Sequence, residues 1–484
     1  MAQDQKKEVV KVEWRIKKEE ERAGFAFMWA CIVGLGFKLC NFVKKAWELG
    51  VNDPRKFIHC LKVGVALSAV SIFYYLKPLY NGVGGNAMWA IMTVVVVFEF
   101  TAGATIYKTM NRMCGTSLAG FLALGVHWVA SKAGHQWDPI ISGVSLFLLA
   151  SAATFSRFIP TIKARFDYGA LIFILTFSLI SVSGYRVEEL LAMAQQRIST
   201  VIVGSLLCII VSVIVQPVWA GQELFVLVTG NLDKLANSLQ GCVAKYFDNS
   251  ESPAGNDEES HKKLLGYKCV QQSKASEEVM ANFARWEPAH GRFNFRHPWR
   301  QYLKIGASMR SCASCLDALF GCINSENKSS DDIKKNMSSI SMKVGANTAS
   351  VVRELAITMR NMTRSNKLDI LVEEMNGAAQ DLRDFLKYPN MVNPTTSHSA
   401  NGEEVSANIK IPLMDIIQVV TVASLLIEIV ARVEDIVKAV EELSDLAQFQ
   451  LAECEKPKQV HSPNNKISPD QEKDEKDIKI LQMV

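Results

Sequence analysis

Four ionisable residues stand inside, or at the mouth of, long apolar stretches: Lys62, Glu99, Arg112 and Arg197. Charge at membrane depth is costly, so such residues mark a permeation path, a proton relay or a pairing partner. The cations outnumber the acid. Arginine stays charged, and its planar fork matches a carboxylate with two parallel hydrogen bonds. The chemistry offered is therefore non-covalent attraction of anions along an aqueous path. Each residue also has an ordinary reading: Arg112 as a cytosolic flanking charge, Lys62 as a snorkelling side chain, Glu99 as the ion-pair partner of one of the cations. Arg197 resists such a reading because it opens a span on the less basic side. Arg112, Arg197 and Lys62 are the candidate anion-binding residues, and Glu99 is their candidate charge partner.

Other chemistry is missing from the sequence. It holds no HExxH, no phosphate-cradling glycine loop before a Lys-Ser/Thr pair and no nucleophile elbow. The eight histidines are dispersed without ligand spacing. Eleven cysteines make an odd, scattered set rather than a disulfide framework. Cys312 and Cys315 have CxxC spacing, but they share a helical stripe with Leu316, Leu319 and Cys322, which reads as a buried face rather than a metal site. The chain is expected to be no enzyme and to need no cofactor or metal. A net charge of +4, without a basic patch interleaved with aromatics, gives no reason to expect a nucleic-acid partner.

The elements that must carry these charges divide the chain in two. Mean hydropathy, at +0.10, averages an apolar first half with a charged second half. Six stretches of 17 to 22 residues are candidate spans: Phe57 to Leu76, Asn86 to Tyr107, Met113 to Ala130, Pro139 to Phe155, Gly169 to Tyr185 and Ile198 to Trp219. Each approaches the roughly 20 helical residues that cross a bilayer. Arg55 and Lys56, then Lys108 and Arg112, then Arg157, Lys163 and Arg165 put the basic loops on one side, so both termini should face the cytosol. Gly115, Ala119, Gly120 and Ala123 form a small-residue face suited to close helix contact. The apolar run from Gly24 to Phe37 is short and is expected to lie in the interface. The N-terminus shows no cleavable signal, Ala2 stands where myristoylation needs Gly, and the C-terminal LQMV lacks a prenylation cysteine.

Beyond Trp219 the pattern becomes amphipathic. Gln222 to Phe247, His261 to Trp286, Pro298 to Ile323 and Asp331 to Leu386 repeat apolar residues at three- and four-residue spacing. Leu413 to Val433 is apolar enough for a late span. It holds Asp415, Gln418, Glu428 and Arg432, however, and its stripe continues to Leu443, so a long helix packed in the polar half is expected. The fold class is thus all-α, a six-span helical transmembrane domain followed by a helical cytoplasmic domain. The expected divisions are 1–55 (cytoplasmic segment), 56–220 (pore domain), 221–453 (cytoplasmic helices) and 454–484 (disordered charged tail).

Four blocks in order, NAMWAIMTVVVVFEFTAGAT, RFDYGALIFILTFSLISVSGYR, QPVWAGQEL and WEPAHGRF, give the chain a marked resemblance to the plant aluminium-activated malate transporters. The resemblance implies a homodimeric anion channel for malate, in contact with membrane lipid. With no targeting signal to choose between plasma and vacuolar membrane, the plasma membrane is the expected site. It also implies that Arg112 and Arg197 line the path, giving it a basic lining near both ends. A proton-coupled dicarboxylate carrier and a membrane-anchored scaffold are the alternatives. The WEP block, with Trp286, Glu287, Pro288, His290 and Gly291, reads as an interdomain motif: a helix corner set by Pro288, or a transmission point to the pore. One departure concerns the metal. The first outer loop, KPLYNGVGGNA, has no acid, and the last has Glu188 and Glu189 but Ala192 a turn later, which argues against aluminium activation because hard cations need clustered oxygen ligands.

Overall fold

Prolines set the starts of three helices in the apolar half. Pro54, Pro139 and Pro160 each fall in a first turn, where the missing N–H is not needed. The structure, a computed structural model, describes residues 29, 33–75, 87–134, 136–184, 190–247, 263–324, 331–387 and 413–451. Two compact units divide the chain, Met1–Ala69 with Val460–Val484, and Val70–Gln459. In the first, a helix over 33–52 precedes the start of α1 (Pro54–Tyr75). Most of the run from Gly24 to Phe37, and all of the tail from Cys454, lie outside the described residues.

The second unit carries α2 (Ala87–Val97), α3 (Ala102–Ala133), α4 (Asp138–Ser156), α5 (Pro160–Gly184) and α6 (Leu190–Ile214). Among the described residues, four helices are long and apolar enough to cross a membrane: Ala102–Ala133, Asp138–Ser156, Pro160–Val182 and Arg197–Ile214. α3 packs on α5, α4 and α6, and α2 packs on α6. Gly115 makes the α3–α5 crossing close, since a Cβ there would stand 2.6 Å from the carbonyl oxygen of Gly169. Its neighbours Ala119 and Ala123 pack against Phe173 and Phe177, as the small-residue face predicted.

One boundary differs from the sequence reading. The expected loop at Lys108 to Arg112 is helix, and the chain instead breaks at 98–101. Apolar length suggested a span through Tyr107, but Thr101 is an N-cap whose hydroxyl accepts from the Ala104 N–H at 3.3 Å. Arg112 therefore stands ten residues into a 32-residue helix rather than at its mouth.

The polar half is helical throughout its described length, apart from short connections. It comprises α7 (Ala220–Phe247), α8 (Gly266–Gln272), α9 (Lys274–Ala284), α10 (Trp299–Ile323), α11 (Asp331–Asn361), α12 (Asn366–Lys387) and α13 (Leu413–Leu446). The stretch expected as one helix from Asp331 to Leu386 breaks at Met362, which has φ 51°. There the two-residue strand β1 (Thr363–Arg364) pairs in parallel with β2 (Gln450–Leu451). α13 packs along α10 and buries Val422, Leu426, Ile429, Val433, Ile436 and Val440 in the same core as α7. Each such side chain contributes roughly 1.5–3 kcal/mol on burial, which is why this apolar stretch belongs to the helical domain. Cys312 is fully buried on α10 beside Leu316 and Leu319, as a packed helix face requires.

Candidate anion site and helix clasp

α3 and α6 bring Arg112 and Arg197 together. Both border one small cavity, of about 20 Å³, with Trp89 on α2 and Thr116, Thr176 and Val201 completing much of its wall. The Arg112 Nη1 donates to the Tyr168 hydroxyl at 3.4 Å. The Arg197 guanidinium lies over the Trp89 ring, 3.8 Å from its centroid. The Nε of each arginine is buried without a hydrogen-bond partner. Among the described residues neither guanidinium has a carboxylate within ion-pair distance. Two like charges share a low-dielectric space that no acid neutralises, and a mobile anion is the species that would lower their energy.

This arrangement corrects the expectation of basic linings near opposite ends of a path. Arg112 is about 15 Å along α3 from its N-terminus, and Arg197 about 10 Å along α6, at 1.5 Å per residue. Both therefore lie well inside their helices, where they border the same cavity. Glu99 pairs with Lys108, at the break before α3, and among the described residues forms no ion pair with Arg112 or Arg197. Lys62 is buried on α1, in the first unit. The outer-loop residues Glu188 and Glu189, and nearly all of KPLYNGVGGNA, lie outside the described residues.

The WEP block forms a clasp at the start of two helices. Glu287 is buried, and its carboxylate accepts from the N–H of Gly103 at 3.2 Å, Ala220 at 2.6 Å and Gly221 at 3.0 Å. One side chain thus caps both α3 and α7, whose N-terminal dipoles each favour a negative group. The Ala102 N–H also donates to the Val218 carbonyl at 2.9 Å, joining the two starts directly. No side chain fits at either glycine: a Cβ on Gly103 would stand 2.5 Å from the Phe283 carbonyl oxygen, and one on Gly221 2.5 Å from the Trp299 ring. Burial raises the Glu287 carboxyl above the usual range, opposed by the Gly221 and Ala220 N–H groups.

Aromatic contacts hold the clasp in place. Trp286 meets Tyr107 edge-on at 5.9 Å, and the Tyr107 hydroxyl donates to the Arg165 carbonyl at 2.8 Å. His290 stacks on Trp219 at 4.1 Å, with Nδ1 2.9 Å from the Pro288 carbonyl. α9 ends at Ala284, four residues before Pro288, and Glu287 ties that corner to α3. The sequence carried a signal for the clasp that was not read. Ala-Gly follows a break at both helix starts, Thr101-Ala102-Gly103 and Trp219-Ala220-Gly221, leaving bare N–H groups for one distant acid.

Membrane-length helices around uncompensated guanidinium groups, clasped at one end to a helical domain, define an integral membrane protein with a cationic interior. The family model described as "Aluminium activated malate transporter" matches residues 47–410 and 390–444. The chain belongs to that family. It is 48% identical over 477 residues to "Aluminum-activated malate transporter 10" of Arabidopsis thaliana, covering 92% of this chain and 95% of the relative. It is 44% identical to "Aluminum-activated malate transporter 2" of the same plant, covering 85% and 79%. With "Aluminum-activated malate transporter 1" of Triticum aestivum it shares 40% identity, covering 87% and 88%. A transporter family agrees with the expectation that the chain is no enzyme.

Proposed function

We propose that the protein is a passive channel that carries malate and smaller inorganic anions across a plant membrane. The observation that carries this reading is the convergence of Arg112 and Arg197 on one cavity without an acidic partner. The malate transport named for its relatives supports the choice of anion. A cavity of about 20 Å³ holds about one water, so passage of a dicarboxylate requires the helices around it to separate. Malate then exchanges part of its hydration for the two fixed charges, and release demands that each contact stay weak.

In this reading 56–220 form the pore domain with six spans, 221–453 lie in the cytosol, two chains associate, and the plasma membrane is the site. Glu287 links the halves: any motion of α3 or α7 that opens the cavity must carry or break its three hydrogen bonds. Whole-cell currents under imposed malate gradients test the channel reading. The reversal potential is expected to follow the malate equilibrium potential and to ignore pH. A reversal potential that moves with pH at fixed malate establishes a proton-coupled carrier instead, and one indifferent to malate removes both.

A further inference from the structure

Beside the clasp, the chain between α9 and α10 lines a second cavity, of about 380 Å³ and partly open to solvent. Three guanidinium groups line it, Arg285, Arg296 and Arg300, along with His290. Glu287 is the one carboxylate in its wall, and its oxygens already accept from three backbone N–H groups. Among the described residues, Arg285, Arg296 and Arg300 have no ion-pair partner. The crowding is felt: burial and the positive charges of Arg165 and Arg300 together hold the Arg285 guanidinium below its ordinary proton affinity. The Nε2 of His290 is buried without a hydrogen-bond partner, 3.9 Å from the Glu287 carboxylate.

The size and charge of this cavity differ from those of the small cavity around Arg112 and Arg197. It has room for a ligand well beyond a four-carbon diacid, within the roughly 300–1,000 Å³ of small-molecule sites. Three unpaired guanidiniums suit a group with several anionic oxygens in fixed geometry, which phosphate supplies and which arginine binds through parallel hydrogen bonds. Asn282, on α9 two residues before the cavity wall begins at Ala284, donates to the Ala164 carbonyl on α5 at 3.5 Å, so the helix leading into the cavity touches the start of a membrane-length helix.

We propose that this cavity is a regulatory anion site that binds a phosphate ester through Arg285 and Arg300, with His290 relaying occupancy to the Glu287 clasp. The ligand is a soluble phosphorylated molecule or a phosphorylated lipid headgroup. The binding claim stands apart from the channel reading, and its test needs no current. The purified full chain in phosphatidylcholine nanodiscs is titrated with inorganic pyrophosphate by calorimetry. Saturable binding is expected, weakened at least about tenfold in Arg285→Gln and in Arg300→Gln and unchanged in the distant Arg353→Gln. Both substituted side chains are exposed, and unchanged elution and melting profiles establish that the variants fold.

Adding phosphatidylinositol 4-phosphate to the discs separates the sources. Weakened pyrophosphate binding identifies the lipid headgroup as a competitor for the site, and unaltered binding identifies a soluble ligand. Absence of saturable pyrophosphate binding, equal affinity in the parent and in both arginine variants, or malate binding as tight as pyrophosphate each overturns the proposal.

Discussion

The guanidinium of Arg197 lies over the indole of Trp89, 3.8 Å from the ring centroid, at the edge of the cavity that Arg112 also borders. A cation over an aromatic face gains roughly 0.5–2 kcal/mol. Trp89 thus holds an unpaired charge in one orientation without neutralising it, which an acid in its place could not do.

Removing the ring should therefore weaken malate handling while sparing the fold. Trp89→Leu is expected to raise the malate concentration for half-maximal current by up to about tenfold, the equivalent of roughly 1.4 kcal/mol. Trp89→Phe should stay near the parent. Current–concentration curves under voltage clamp decide the point, and identical curves for Trp89→Leu and parent would show that the stacking is incidental.

Glu287 should matter to stability before it matters to current. Hydrogen bonds to a charged group contribute roughly 1.5–3 kcal/mol each, and Glu287→Ala removes three while leaving buried N–H groups bare. A loss of at least about 2 kcal/mol is expected. Gly221→Ala should also destabilise, by driving a methyl group into Trp299. Thermal unfolding of the purified protein measures both. A parent-like midpoint for Glu287→Ala would mean that the clasp is not what secures α3 to α7.

Acid should destabilise the helical domain through His297. Burial, then the charge of His290, holds its imidazole down to about 4, against an ordinary value near 6.5. Between those values the unfolded chain binds the proton and the folded one does not, so stability present above pH ~6.5 is lost as pH falls toward ~4. Glu287, held above its ordinary value, contributes with the opposite sign over its own window. The difference between parent and His297→Gln melting midpoints across this range isolates the histidine. The variant is expected to lose less stability on acidification, and parallel curves would contradict it.

The sequence reading reached the helices more surely than their ends. Apolar length and amphipathic spacing located α1 and α4 to α7 but merged α2 with the start of α3, and the stripe running past Val433 to Leu443 marked α13 as a helix of the polar half's core. The break at 98–101 was missed because Phe98 and Phe100 keep the stretch apolar on either side of Glu99, which reads as an isolated charge within a span, and because the Thr101 cap is one small polar residue. That one shift moved Arg112 from a loop edge to the interior. Arg112 and Arg197 were legible as charges in apolar surroundings, but their meeting was not, since it depends on how far each lies along its own helix. The Glu287 clasp spans 184 residues to Gly103, a separation across which periodicity carries no signal.

Aluminium should have little effect on current. The first outer loop offers no carboxylate, and Ala192 follows Glu188 and Glu189 where a further acid would extend the cluster. Trivalent ions need several oxygen ligands together. Malate currents recorded with and without micromolar aluminium at acidic external pH are expected to agree. A several-fold increase would place a binding site elsewhere on the outer face.

Arg112 and Arg197, bordering one cavity without a carboxylate in ion-pair distance among the described residues, are the proposed source of anion attraction. At a separation of ~5 Å and an effective dielectric of ~20, each attracts a unit negative charge by about 3 kcal/mol. The most direct test is malate current from Arg112→Gln/Arg197→Gln, with surface labelling confirming that the variant reaches the membrane. A fall of about a hundredfold or more is expected at parent-like surface density. Undiminished malate current from the doubly neutralised protein would contradict the account.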